Sequence, residues 1–297
     1  MRITIVFNPK SGKRTAARVV GQVVTSLASH NHDLEVIDCL KQPDFEIELR
    51  NRAPSIDRVI VVGGDGTLNA AVNAIAFSEN PMLPLAFVPT GRGKDTARTL
   101  DSWQQNQLAN GHFEMATGEA IDLIKVTLRN GVERYAINIA SFGLSATAVR
   151  TAKRIPRVLG SLGYVLGAGV ALVPPRPFPL SMRVDGTPVT IDNALLLAAC
   201  NGSAFGGGVY LAPDADASDG LMDIVVIHNA NLGDLALQLG KLKAGKLREH
   251  PALTRWHSRT IEIEPVSAPY FEADGELLSE QPSMFEIAPK ALNWVAP

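Results

Sequence analysis

Apolar positions change their rhythm partway along this chain. In the first hundred residues, short continuous apolar runs alternate with segments of helical spacing. Residues 2–8, 34–38, 59–62 and 84–89 are runs of strand length. The third is wholly β-branched, as suits a strand buried on both faces of a parallel sheet. Between them, Ala16, Ala17, Val19, Val20, Val23, Val24 and Leu27 mark one helix face, and Leu68, Ala71, Val72 and Ile75 mark another. Residues 43–52 read as a helix of weaker periodicity. Such alternation predicts a doubly wound α/β domain over residues 1–119. From about Ala120 the pattern is strand after strand: 121–126, 135–139, 180–184, 193–199, 221–227, 259–264, 270–273 and 285–288. Most are joined by turn residues, so residues 120–289 are expected to form a mainly antiparallel β domain. Helices are expected at 154–173 and 232–247, and residues 290–297 are expected to return to the first domain.

The segment Gly63-Gly64-Asp65-Gly66-Thr67 stands between the β-branched run and the helix that begins at Leu68. Its glycines let bare backbone approach a ligand. A helix N-terminus behind them adds free N–H groups and the positive end of a dipole, which together suit phosphate. Asp65 reads as a holder of a Mg²⁺-bound water or of a basic neighbour; an ordinary tight βα turn is the bland alternative. Residues 90–98, Thr-Gly-Arg-Gly-Lys-Asp-Thr-Ala-Arg, form a second glycine-bearing loop before a helix. At the first strand's end, Asn8 and Ser11 are candidate helix caps, with Lys13 and Arg18 supplying positive charge. The run 8–13 is not a Walker A loop, because Phe7 stands where its first glycine is required.

Composition narrows the class. With 46% hydrophobic and 20% charged residues the chain is an ordinary globular protein. It has no apolar run of the roughly 18 residues that a membrane span needs. A net charge of −2 excludes a generally basic nucleic-acid binder. Cys39 and Cys200 lack metal-ligand spacing and read as reduced core or near-core residues of a cytoplasmic protein. Charge is segregated: residues 123–184 hold nine Lys/Arg against Glu133, and residues 185–240 hold seven Asp and no Lys or Arg. One face for anions and another for cations, or chance that intermixes on folding, both remain open.

Five motifs together resemble the bacterial lipid kinases of the diacylglycerol kinase catalytic-domain type, within the NAD kinase superfamily. They are Asn8-Pro-x-Ser11-Gly12, Gly63-Gly64-Asp65-Gly66-Thr67, Pro89-x-Gly91, Pro213-Asp-Ala-Asp216-Ala-Ser-Asp219-Gly-Leu221-Met-Asp223, and Asp274-Gly275-Glu276. The resemblance implies transfer of the γ-phosphate of ATP to a lipid hydroxyl, diacylglycerol-like, in a cleft between the domains. It implies nucleotide binding by Asn8, Ser11, Gly12, Lys13, Gly63, Gly64, Gly66, Thr67, Gly91, Arg92, Asp95 and Arg98. Asp65, Glu276 and Asp274 are the implied catalytic residues. Asp216, Asp219 and the Leu221 carbonyl are hard oxygen ligands suited to a structural Mg²⁺, with a helix-free acidic turn without metal as the alternative. Asp122 matches an acidic residue near the family's charge network and, read by itself, is an edge carboxylate. A basic, amphipathic 154–173 helix would meet anionic headgroups or pack on its own sheet. A cytoplasmic protein in peripheral contact with the membrane is therefore expected, and a homodimer is left open.

One departure bears on activity. Arg92 and Lys94 replace the Thr and Asn of the family loop. They would grip phosphate, fill the adenine and ribose pocket, or extend into solvent. A ceramide, sphingoid or other alcohol kinase, or a catalytically silent lipid- or nucleotide-binding protein, are the alternative readings.

Overall fold

The computed structural model describes residues 1–28, 31–91, 93–100, 117–154, 176–230, 232–247, 249–267 and 270–296. The chain forms two compact units: Met1–Asp122 with Pro289–Pro297, and Leu123–Ala288.

In the first unit the order is β1 (Arg2–Phe7), α1 (Thr15–Ala28), β2 (Asp33–Asp38), α2 (Phe45–Arg52), β3 (Arg58–Gly63), α3 (Asp65–Ala76), β4 (Leu85–Pro89) and the short α4 (Thr96–Thr99). The last strand of the chain, β17 (Pro282–Val295), returns to it. The strands lie in the order β17-β4-β3-β1-β2, every pair parallel. All residues of β3 and β4 are buried, as the continuous apolar runs require. Val19, Val23 and Leu27 of α1 pack on Ile3, Ile5, Ile60, Val62 and Val88. The chain steps from β1 out to β2, then returns to place β3 on the other side of β1. The winding direction therefore reverses between β1 and β3.

The second unit begins within β5 (Gly118–Leu128) and continues with β6 (Glu133–Ala136), β7 (Ile139–Gly143), α5 (Leu144–Arg154), β8 (Phe178–Val184) and β9 (Thr187–Cys200). A two-residue hairpin, β10 (Ala204–Phe205) with β11 (Val209–Tyr210), precedes β12 (Met222–His228) and α6 (Leu232–Lys243). Then follow β13 (Leu253–Ser258), β14 (Thr260–Ile263), β15 (Phe271–Ala273) and β16 (Glu276–Leu278). The pairings recorded within this unit are antiparallel. The half of β9 from Ala194 to Cys200 is buried throughout because it separates two cores. Ala194, Leu197 and Ala199 face Phe142, Phe178, Phe271 and Phe285, while Leu195, Leu196 and Ala198 face Leu211, Val225 and Ile227.

Several elements differ from the sequence expectation. The strand expected at 135–139 is broken: β6 ends at Ala136 and β7 starts at Ile139. The amides of Ile137, Asn138 and Ile139 donate instead to the carboxylate of Asp274. β7, β13, β16, the first half of β9 and helix α5 are additional elements with no counterpart in the expectation. The helix expected at 154–173 lies outside the described residues, apart from Arg154, which closes α5. Both cysteines are free thiols, and burial pushes that of Cys39 up to about 12.

Candidate active site

Three loops converge at the C-terminal ends of β1, β3 and β4. In open α/β sheets ligands bind at this edge, at the point where the winding reverses. The Gly63 carbonyl at the end of β3 accepts from the amides of Thr90 (2.8 Å) and Gly91 (3.0 Å), tying the β3 loop to the β4 loop. The approach is so close that a Cβ on Gly91 would lie 2.6 Å from the Gly64 Cα. The β1 loop is tied in by the Thr90 hydroxyl, which donates to Ser11 Oγ at 2.9 Å. Gly12 is left-handed at φ 60°, and a Cβ there would run into the Thr90 carbonyl oxygen. Asn8 and Ser11, expected as helix caps, make loop contacts here. Asn8 Oδ1 accepts from the Lys10 amide at 3.0 Å, closing the loop's own turn, and Ser11 serves the loop contact. No sequence signal marked Thr90, which closes both contacts.

Gly64 caps α3 in extended conformation, and its carbonyl accepts from Thr67 (3.0 Å) and Leu68 (3.1 Å). Asp65 is the first helical residue. The amides of Asp65 and Gly66 precede the first intrahelical bond of α3, giving an anion-binding end. Among the described residues the Asp65 carboxylate takes two amides of the second glycine loop: its Oδ2 accepts from Lys94 (3.1 Å) and its Oδ1 from Thr96 (3.3 Å). It thus fastens the second glycine loop to the start of α3. Within that loop the Arg98 guanidinium donates to the Gly93 carbonyl and to Asp95 Oδ1 at 3.1 Å. Asp95 is buried and Arg98 part-exposed. Lys94 is left-handed at φ 55° with an exposed side chain. Arg18 is exposed on α1. Nothing is described of Arg92 or of the Lys13 side chain. Asp122 is fully buried, with Oδ1 accepting from the Lys290 amide at 2.7 Å.

In the second unit, Asp274 (φ 47°) and Gly275 (φ 81°) form the two-residue turn between β15 and β16. Both carboxylate oxygens of Asp274 are committed. Oδ2 accepts from the Ile137 amide (2.7 Å), and Oδ1 from those of Asn138 and Ile139 (3.0 Å each). Glu276, at the start of β16, is exposed. The acidic turn closes on itself: Asp216 Oδ1 accepts from Ser218 N and Oγ, and Asp219 Oδ1 accepts from Leu221 N. Among the described residues no group of three or more His, Cys, Asp or Glu is arranged to hold a metal. The Asp223 carboxyl is pushed up by burial and then by the nearby Asp219 and Asp214, against the lowering effect of His257 at 3.5 Å.

A glycine cradle at the switch point of a doubly wound sheet defines a phosphate- or nucleotide-binding protein. Comparison with known families narrows this. The diacylglycerol kinase catalytic domain matches residues 2–126, and the YegS C-terminal NAD kinase beta sandwich-like domain matches residues 138–296. The chain belongs to this family of lipid kinases, and is a phosphotransferase of the diacylglycerol kinase type. A diacylglycerol kinase of Mycobacterium tuberculosis is 26% identical over 298 residues, covering 100% of this chain and 95% of the relative. A protein of Shewanella frigidimarina named "Probable lipid kinase YegS-like" is 29% identical over 299 residues, covering 97% and 92%. A crystal structure of a diacylglycerol kinase from Bacillus anthracis superposes with a TM-score of 0.72 at 21% identity, covering 100% and 97%, which shows the shared fold.

Proposed function

We propose that this chain transfers the γ-phosphate of ATP to the hydroxyl of a diacylglycerol-like membrane lipid. The observation that carries the reading is the Gly63–Gly64–Gly91 contact, where backbone meets backbone and a single Cβ would fill the cradle. Such a surface offers amide donors to phosphate oxygens, and only glycine leaves room for them. Asn8, Ser11, Gly12, Lys13, Gly63, Gly64, Gly66, Thr67, Gly91 and Arg92 are the residues assigned to the nucleotide. Asp65, Asp95 and Arg98 hold the loops in register. Bound Mg²⁺ would neutralise charge on the transferring phosphate, as it does in phosphoryl transfer generally. Glu276 orients the acceptor hydroxyl and takes its proton. Asp274, with both oxygens on backbone amides, fixes the turn from which Glu276 departs. Asp216, Asp219 and the Leu221 carbonyl are assigned to a structural cation that offsets the negative field felt by Asp223. Among the described residues no helix is long and apolar enough to cross a membrane. In this reading the acceptor is met at the membrane surface.

The test is transfer from γ-labelled ATP with Mg²⁺ to diacylglycerol, ceramide, sphingosine and monoacylglycerol in mixed micelles. Labelled phosphatidic acid is expected, and its loss in folded Asp65→Ala and Glu276→Ala variants. A labelled ceramide or sphingosine product instead would keep the kinase and replace the acceptor. No lipid product together with no ATP binding would overturn the reading.

A further inference from the structure

Glu272 is 1% exposed at the middle of the three-residue strand β15. Alternation along the strand sends Phe271 and Ala273 into the aromatic core and turns Glu272 to the opposite face. There it sits in register with Ser141 of β7. One carboxylate oxygen accepts from the Ser141 hydroxyl, and the other accepts from the Gly275 amide at 2.8 Å. The Ser145 hydroxyl, in the first turn of α5, donates to Ser141 Oγ at 2.7 Å. α5 packs on β7, β15 and β16 and so closes over this chain of polar groups.

Burying a carboxylate costs several kcal/mol unless its partners compensate. Asp274 already ties the turn to three amides of the 137–139 segment. Beside its bond with Ser141, Glu272 captures the amide of the peptide joining Asp274 to Gly275. That peptide plane sets the direction in which the chain leaves the turn into Glu276. We propose that Glu272 is a positioning residue for phosphoryl transfer: through Gly275 it fixes the orientation of the Glu276 backbone and hence of its carboxylate. The inference rests on the reading in which Glu276 serves the acceptor hydroxyl. Glu272 itself touches neither substrate nor nucleotide.

The test uses the full chain and compares Glu272→Gln, Glu272→Leu, Glu276→Gln and the Glu272→Leu/Glu276→Gln double variant. For each, kcat and KM are measured for ATP and for diacylglycerol in micelles, with thermal unfolding alongside. Glutamine retains an oxygen for the Gly275 amide and can donate to Ser141, so it should restore most of the turnover. Leucine removes both bonds, and a displaced general base is expected to lower kcat by about 100-fold. The KM for ATP should not move. In the Glu276→Gln background the leucine substitution should add nothing, since a residue that acts through Glu276 has nothing left to position. Should Glu272→Leu not fold, Ser141→Ala removes one of the two partners and is expected to cost roughly tenfold in kcat, with ATP affinity intact. A folded Glu272→Leu with wild-type kcat, or additive losses in the double variant, would overturn the positioning role while an inactive Glu276→Gln left the kinase reading standing. Wild-type turnover in Glu276→Gln would instead remove the role of Glu276 itself, and the positioning role with it.

Discussion

Gly91→Ala probes the cradle most directly. The added Cβ would lie 2.6 Å from the Gly64 Cα, and ordinary contact begins at 3.4 Å, so the loops must part by 3.4 − 2.6 = 0.8 Å. No rotamer relieves this, because the collision is with backbone. The same displacement would stretch the Gly91 amide to Gly63 carbonyl bond from 3.0 Å to about 3.8 Å, beyond hydrogen-bonding range. Losing one or both bonds to that carbonyl costs about 1–3 kcal/mol. For a unit of this size the melting temperature should fall by roughly 3–10 °C. Phosphate held on the same backbone would be misplaced by nearly the same distance, and about 100-fold in turnover is a reasonable loss for such an error. Gly64→Ala is the informative companion. Its Cβ would meet the Gly91 Cα at 3.4 Å, and its backbone at φ −101° and ψ 177° accepts alanine, so its stability should be unchanged. If phosphate rests on these loops, both variants lose ATP affinity in isothermal titration, yet only Gly91→Ala loses stability in thermal unfolding. A folded Gly91→Ala that binds ATP and turns over like the wild type would refute the cradle.

Other perturbations separate structural from chemical roles. Gly21→Ala, exposed in the interior of α1 with nothing within 4 Å of the new methyl, should add about 0.5–1 kcal/mol to stability by denaturant titration. Asp274→Ala strands three amides and should destabilise the second unit by at least about 3 kcal/mol, so its inactivity in an assay at elevated temperature would not identify a base. The Asp223 carboxyl is raised above 3.8, so the native state holds its proton more tightly than the unfolded chain does. The group's contribution to stability therefore falls as pH rises from 3.8 through the native pKa. Asp223→Asn should raise the melting temperature at pH 7, with the gain vanishing below pH 3.8; an equal gain at both pH values would contradict the sign. If Asp216 and Asp219 hold a cation, Mg²⁺ without nucleotide should raise the melting temperature and EDTA reverse it, and Asp219→Ala should abolish the response. No shift in the wild type would remove that assignment.

What was legible in the sequence follows from how local each signal is. β1, β3, β4, α1 and α3 are announced by uninterrupted β-branched or helix-spaced apolar residues, and the glycines between them mark where backbone must come close. The doubly wound unit could be anticipated on that basis. The second unit was less legible because its elements are short and depend on distant partners. β7 reads Ile-Ala-Ser-Phe-Gly, with a serine where an apolar run would continue, because Ser141 pairs with a carboxylate 131 residues away. β16 has three residues, too few to show a period, whereas β15 falls within the strand expected at 270–273. The end of β6 is fixed by the Asp274 carboxylate drawing three amides out of the ladder, a long-range effect that no window of sequence displays. Site residues were legible as motif members, but their contacts were not. Asp65, legible as a motif member, accepts from two amides of the loop that carries Lys94, contacts between segments 29 and 31 residues apart that no local window displays.

The two Asp-Gly hairpins of the second unit separate the roles within the Asp274-Gly275-Glu276 motif. Asp185-Gly186 joins β8 to β9 with φ of 46° and 79°, nearly the same turn as Asp274-Gly275. The Asp185 carboxylate accepts from the Arg259 amide (3.0 Å), the Thr260 amide (2.9 Å) and the Thr260 hydroxyl (3.2 Å). No motif surrounds Asp185, so its pattern shows what such an aspartate does when only the fold is served: the left-handed turn aims its carboxylate at the backbone of a neighbouring strand. Asp274 repeats that pattern with three amides. Both of its oxygens serve the fold, whereas the three bonds to Asp185 all fall on Oδ1. What distinguishes the second hairpin is the glutamate that follows the glycine, where the first has Thr187, and the buried Glu272 that grips the intervening amide. In the proposed mechanism the chemical role of this motif is therefore given to Glu276, with Asp274 and Glu272 as the two fixed points that hold it.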